Sequence, residues 1–300
     1  MSRARPKQTL IEMESAGASW AVVPMMRAIG ASERLLGSAP ASASDVKSTK
    51  LTPRDRRVFA DFIETTDLYT RRDRKDLSGQ YADLFKKFAK LVSANTTIVS
   101  VGSSPDKLAF MAELAGSDVR YLAFSRELFW DKGVEGVFVD AQLRTQLCRR
   151  FRAMLSRARV SLKELRDPER EFLFVDKIDT GISIVTLLEL IGVCLKIPDL
   201  TGRTSVVLLA SPDLIDVHSE RTLTRHAFKK VTFLAATDGS WALSKATRCV
   251  PKARLRGMSA YDEMDSALCN AVRLWLAHCV VRNVRRPKTK RPKRTPSKKP

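Results

Sequence analysis

The chain has 300 residues, of which 44% are hydrophobic, enough for one large α/β domain or for one domain with an appendage. Formal net charge is +20, and half of it falls in residues 282–300, which hold ten Lys/Arg and no acid, so the body is basic as well and a polyanionic partner or substrate is implied. No stretch has the length and apolarity of a membrane span, Glu12 and Glu14 interrupt any secretory signal, and cysteines at 148, 194, 249, 269 and 279 form no Cys-x-x-Cys pair.

Reduced thiols therefore fit the cysteines better than a disulfide framework or a zinc site, and an intracellular location, cytoplasmic or nuclear, is expected. His218, His226 and His278 form no ligand pattern. Residues 1–50 read as an N-terminal extension with a short helix, then the low-complexity linker 37–44, peripheral to the core. Arg3, Arg5, Lys7 and the Ala/Ser-rich stretch to Ser44 leave a transit peptide open.

Residues 51–95 read as a helical region packing on the core. Thr52-Pro53 is a helix start, because Thr caps well and Pro suits the first helical position. Val58, Phe59, Phe62 and Ile63 then share one face. After a polar break, Tyr81, Leu84, Phe85, Phe88 and Leu91 space as a second amphipathic helix.

From 96 to 281 the pattern is that of an α/β domain with a mainly parallel sheet. The β-branched run 96–101 predicts a strand, Gly102-Ser103-Ser104-Pro105 a turn, 106–115 a helix ended by Gly116, and 119–124 the next strand, together a right-handed βαβ unit. Residues 126–170 form an insertion whose helix, 141–158, is strongly basic. Arg149 and Arg150 on it are candidate contacts to RNA or DNA, against the plainer meaning of a solvated face. Strands are predicted at 204–210 and 230–236, a turn at 237–241, and a final amphipathic helix at 261–280 carrying Met264, Leu268, Val272, Trp275, Leu276 and Cys279. The tail 282–300, with Arg285, Arg286, Lys288, Lys290 and Arg291, is basic and proline-rich, is expected to be disordered, and resembles a nuclear-localisation or nucleic-acid-binding tail.

The most informative stretch is 172–183. Four apolar residues, Phe172 to Val175, read as a buried strand; Asp176, Asp179, Thr180, Gly181 and Ser183 follow, then an apolar helix over 184–195. In open α/β sheets ligands bind at the carboxyl ends of strands, and the amides of a helix N-terminus attract anions. Thr180 and Ser183 offer hydroxyls to a phosphate and Gly181 lets backbone approach it. Asp176 and Asp179 suit sugar hydroxyls, a metal or a proton, so the ligand expected carries both a phosphate and a polyol. A plain helix cap, or another nucleotide-binding α/β fold, accounts for the same residues.

This stretch resembles the phosphoribosyl-diphosphate loop of type I phosphoribosyltransferases, most closely the hypoxanthine-guanine branch. Asp176 falls on the second of that loop's two acids, Ile178 on its second aliphatic, Asp179-Thr180-Gly181 on its Asp-Thr-Gly, and Ser183 on its hydroxyl position; Thr186-Leu187-Leu188 resembles the helix that follows. Val175 stands where the first acid is usual and Lys177 replaces an aliphatic. The resemblance implies a phosphoribosyltransferase-like protein, active or catalytically impaired, that binds phosphoribosyl diphosphate or a nucleotide with magnesium. It would place Thr180, Gly181 and Ser183 on the 5′-phosphate, Asp176 on the ribose hydroxyls or metal, and Asp179 as proton acceptor from the base. Ser103 and Ser104 would bind pyrophosphate, Trp241 would stack on the base, and Asp238 would lie on the metal side. The family's basic residue in the first loop is missing. So is its base-contacting lysine, whose place reads Ala210-Ser211-Pro212. These gaps favour the rival role, a phosphoribosyltransferase-like protein that binds nucleic acid through its basic surface and tail.

Overall fold

A computed structural model describes residues 19–67, 77–102, 105–124, 141–177, 182–197, 200–210, 228–235 and 263–283. Five strands, β1 (Thr96–Val101), β2 (Asp118–Leu122), β3 (Glu171–Lys177), β4 (Thr204–Ala210) and β5 (Lys230–Ala235), form one sheet in the order β2-β1-β3-β4-β5. All four pairings are parallel. The expected parallel character thus holds for every described strand, and the central strands are buried on both sides, as parallel sheets require.

Strand alternation divides the interior into two cores. Phe172 and Phe174 of β3 join Val99, Val101, Val206 and Leu208 on one face, covered by α6 (Ala141–Arg157), α7 (Leu162–Arg166) and α8 (Ile182–Leu195). Leu173 and Val175 join Ile98, Val207 and Leu209 on the other. That second face is covered by α1 (Ser19–Leu36), α2 (Ala43–Ser48), α3 (Pro53–Asp67), α4 (Leu77–Ala89), α5 (Asp106–Ala115) and α10 (Glu263–Asn283); the short α9 (Leu200–Arg203) precedes β4.

The helices at 53–67 and 77–89 pack as their spacing predicts, with Phe59, Phe62, Ile63, Tyr81, Phe85 and Phe88 all buried. Three expectations need correction. Residues 1–50 are not peripheral throughout, because α1 buries Met25, Ala28 and Ile29 against α3 and α10. The 37–44 linker is tied down as well: Asn270 accepts from the Ala41 amide at 3.0 Å and donates to the Ala39 carbonyl at 2.8 Å. The last helix is not amphipathic in context. Ala267, Ala271, Val272, Arg273, Leu274, Trp275 and Leu276 are all buried, since α1 to α5 from the N-terminal part of the chain pack around it, and Arg273 lies over the Phe110 ring.

The third correction concerns the thiols. Cys148 of α6 and Cys194 of α8 are joined as a disulfide, with Cα atoms 4.9 Å apart. The two are 46 residues apart in sequence and meet only because both helices pack on one sheet face. Cys269 and Cys279 are buried on α10, and Cys249 lies outside the described residues.

The predicted helix start at Thr52 is a reciprocal cap. The Asp55 amide donates to the Thr52 hydroxyl at 3.1 Å, and the Asp55 carboxylate accepts from the Thr52 amide at 3.0 Å and its hydroxyl at 2.7 Å. Arg34 of α1 pairs with the same carboxylate. The Thr52 hydroxyl above all, with its amide and Arg34, holds the Asp55 carboxyl below its ordinary value, against the opposing effect of burial. A depressed folded value means that the contribution is complete above the unfolded value, about 3.9, and is lost as pH falls through the folded one. Asp55→Asn should therefore cost about 2 kcal/mol at neutral pH. Urea midpoints measured from about pH 7 down to pH 3 should show the gap between variant and wild type narrowing as pH falls.

Candidate functional site at the carboxyl edge of the sheet

The chain leaves β1 through α5 to reach β2 on one side, then returns past β1 to β3 on the other. The winding therefore reverses between β1 and β3. At such a reversal the connections diverge to opposite faces and leave a crevice outside the carboxyl ends, where open α/β sheets bind ligands. Here the divergence is explicit: α5 covers one face and α8 the other.

The β1 end of the crevice is shaped by Gly102. Its φ is +71°, its amide donates to the Leu122 carbonyl at 2.8 Å, and a Cβ there would stand 3.3 Å from the Phe124 carbonyl oxygen. Both the left-handed backbone and the close approach of the β2 exit require glycine. Asp106 and Lys107 follow in the first turn of α5, and both are buried, Lys107 to 1% exposure. Lys107 was legible only as a basic residue one turn past the loop, and Asp106 drew no functional assignment. A charged pair heading a helix whose other residues are apolar except Glu113 was the available signal.

The β3 end carries Asp176 and Lys177. The strand runs past its four apolar residues because the ladder to β4 continues through Asp176 opposite Leu208 and Lys177 opposite Leu209. Since Ser100 is level with Val175, Asp176 and Lys177 stand at the height of Val101 and Gly102 across the β1–β3 seam. Asp176 is half-buried, and its carboxylate accepts the Lys177 amide at 2.7 Å. Val175, the position of the missing acid, is fully buried in the core beneath α5 and α10. Ser183 lies half-buried in the first turn of α8, whose first turn holds no acid.

The expected Asp176 and Ser183 thus stand at the end of β3 and in the first turn of α8, and Asp106 and Lys107 in the first turn of the helix after β1. Asp179, Thr180, Gly181, Ser103, Ser104, Asp238, Trp241, Arg285, Arg286, Lys288, Lys290 and Arg291 lie outside the described residues. Arg149 and Arg150 are exposed on α6. Among the described residues no three His, Cys, Asp or Glu side chains converge as a metal site. Within them, too, no helix is long and apolar enough to cross a membrane.

No family model matches this chain, and no curated protein or solved structure matches it. Among the described residues the chain is a doubly wound α/β protein with a five-stranded parallel sheet and helices on both faces.

Replacing Gly102 by alanine tests the geometry of the β1 exit. The variant should lose about 1–2 kcal/mol from the left-handed φ alone, read as a lowered melting temperature with an unchanged far-UV spectrum. Wild-type stability would show that the β1 exit does not need glycine.

Proposed function

We propose that the chain binds a phosphorylated ribose, as phosphoribosyl diphosphate or a nucleotide, in the crevice between the carboxyl ends of β1 and β3. The observation that carries this is the strand order. The strand leading into Asp179-Thr180-Gly181 and the helix opening at Ile182 flank the point where the winding reverses. Thr180, Gly181 and Ser183 would take the 5′-phosphate and Asp176 the ribose hydroxyls; Ser103 and Ser104 would take pyrophosphate, and Trp241 the base.

Magnesium keeps several waters and is held by one or two carboxylates together with substrate phosphates. Asp176, a half-buried carboxylate at a strand end, fits one such position, and Asp238 is the candidate for a second. Bound there, the ion would neutralise diphosphate charge. Transfer of phosphoribose to a nucleobase would further need Asp179 as proton acceptor. The buried Val175 supports binding more strongly than turnover, because the usual carboxylate pair is reduced to one acid.

Calorimetric titration with phosphoribosyl diphosphate and magnesium should give saturable binding, and Gly181→Val should abolish it; equal binding by both proteins would remove the site. If turnover is present, Asp179→Asn should lose it while keeping affinity for the donor, and unchanged turnover would exclude Asp179.

A second reading has its own observation. Helix α6 has no acidic residue and exposes Arg144, Arg149, Arg150 and Arg157. Such a face suits a nucleic-acid backbone, with the 282–300 tail as a second contact. Each neutralised phosphate contributes about −0.9 to the slope of log K against log salt on duplex DNA and about −0.7 on single strands. Arg149→Ala/Arg150→Ala should flatten the duplex slope by about 1.8, and deletion of 284–300 should flatten it further. Identical slopes in all three proteins would dispose of this role.

A further inference from the structure

The Cys148–Cys194 bridge belongs to neither function above, and its two sulfurs are unequal. Cys194 is 2% exposed in the last turn of α8, whereas Cys148 is half-buried on α6 with exposed Arg149 next to it in sequence. Arg152, one turn on, donates to the Cys194 carbonyl at 2.7 Å. Cationic groups near a sulfur favour its thiolate, and exchange needs access to the sulfur attacked. Cys269 and Cys279, 1% exposed on α10, lack that access.

We propose that Cys148–Cys194 is a reversible thiol–disulfide site that takes dithiol reductants and low-molecular-weight disulfides as its reactants. In reduction, a thiolate of the dithiol attacks Cys148 Sγ. The protein S–S bond breaks and Cys194 leaves as a thiolate that takes up a proton. The reductant's second thiol loses its proton and attacks its own sulfur in the mixed disulfide, releasing Cys148 as a thiolate that is then protonated. The protein gains two electrons and two protons, and the dithiol becomes a cyclic disulfide. Oxidation runs the other way: Cys148 thiolate attacks a small disulfide, one thiol leaves, and Cys194 displaces the second.

The structural consequence is local. Phe151 and Leu155 anchor the later turns of α6 in the core, so they stay docked without the bridge. Before Cys148 the helix presents Gln142, Arg144, Thr145 and Gln146 to solvent, and the bridge is the covalent hold on that half. Reduction therefore loosens 141–148 and leaves the sheet intact.

The full-length protein is equilibrated across oxidised-to-reduced glutathione ratios, quenched in acid, alkylated and mapped by mass spectrometry. Cys148 and Cys194 should titrate together and reversibly within that range, while Cys269 and Cys279 keep one state throughout. A pair that stays oxidised at every ratio, or never oxidises, overturns the proposal. Direction of attack is read from single variants under oxidised glutathione. Cys194→Ser should become glutathionylated at Cys148, Cys148→Ser should leave Cys194 unmodified, and the reverse pattern overturns the assignment. Hydrogen exchange of wild type should speed up by roughly tenfold or more over 141–148 on reduction, with 151–157 unchanged. Uniform loss of protection would instead make the bridge a global staple and overturn the local role.

Discussion

A parallel sheet cannot leave a face open to water, and that constraint organises the molecule. β1, β3 and β4 send alternate side chains into two separate cores, so each face needs its own helical cover. One face is closed by helices that also serve as crossovers: α6 and α7 between β2 and β3, and α8 between β3 and β4. The other has α5 as its crossover between β1 and β2, too little to cover the strands beyond. The remaining area is covered by α1, α3 and α4 from before the sheet and α10 from after it. This is why α10 is buried on nearly every side, and why Tyr81 packs edge-on against Trp275 with ring centroids 5.7 Å apart. It also explains a buried arginine: Arg273 reaches the Ala41 carbonyl and stacks on Phe110, so its charge is kept hydrogen-bonded inside the helical layer.

The same constraint locates the crevice. Covering two faces forces the winding to reverse, and the reversal sets the ends of β1 and β3 side by side. Charge is handled differently at the two edges. At the amino edge Glu171 meets Lys229 at 2.6 Å and Asp118 meets Arg170 at 3.9 Å, both substantially solvated, and Asp118 also meets the more buried Arg120 at 3.1 Å. Pairs of that kind contribute little to stability and need no other purpose. At the carboxyl edge Asp106 and Lys107 are taken fully out of water, which is costly unless their partners compensate.

Local signals carried most of the architecture. β1 and β4 run over the residues their β-branched runs predict, and α5 ends at Gly116 with φ of +99°. β3 was read short because hydrophobicity stops at Val175, while its ladder to β4 continues through two charged residues that no apolar pattern reports. The errors share one physical origin, contacts between residues far apart in the chain. α1 has apolar residues on both sides, with Val23 and Met26 exposed and Met25 and Ala28 buried, so no stripe announced that it would cover α10. The Cys148–Cys194 pairing likewise depends on two helices docking on one face. In the candidate site, Asp176 and Ser183 were legible because a strand-loop-helix motif is local, whereas Lys107 joined them only through the sheet order.

The arginines show how a charge total has to be divided before it is assigned a partner. Helix α8 has no basic residue in its last turn and no acid in its first, so its own sequence compensates neither end of its dipole. Two other elements supply the carboxyl end: Arg152 of α6 donates to the Cys194 carbonyl at 2.7 Å and Arg166 of α7 to the Leu195 carbonyl at 3.2 Å. Arg203 does the same for α7, donating to the Leu165 and Asp167 carbonyls. These three guanidinium groups are structural, and their charge should not be added to a nucleic-acid footprint. Among the described residues Arg144, Arg149, Arg150 and Arg157 serve no such carbonyl, and they are the part of α6 that a polyanion can use. At the opposite end of α8 no acid of the helix itself compensates the dipole, and the free amides are open to water, a neighbouring side chain or an anionic ligand. That is where the Asp179-Thr180-Gly181 sequence stands.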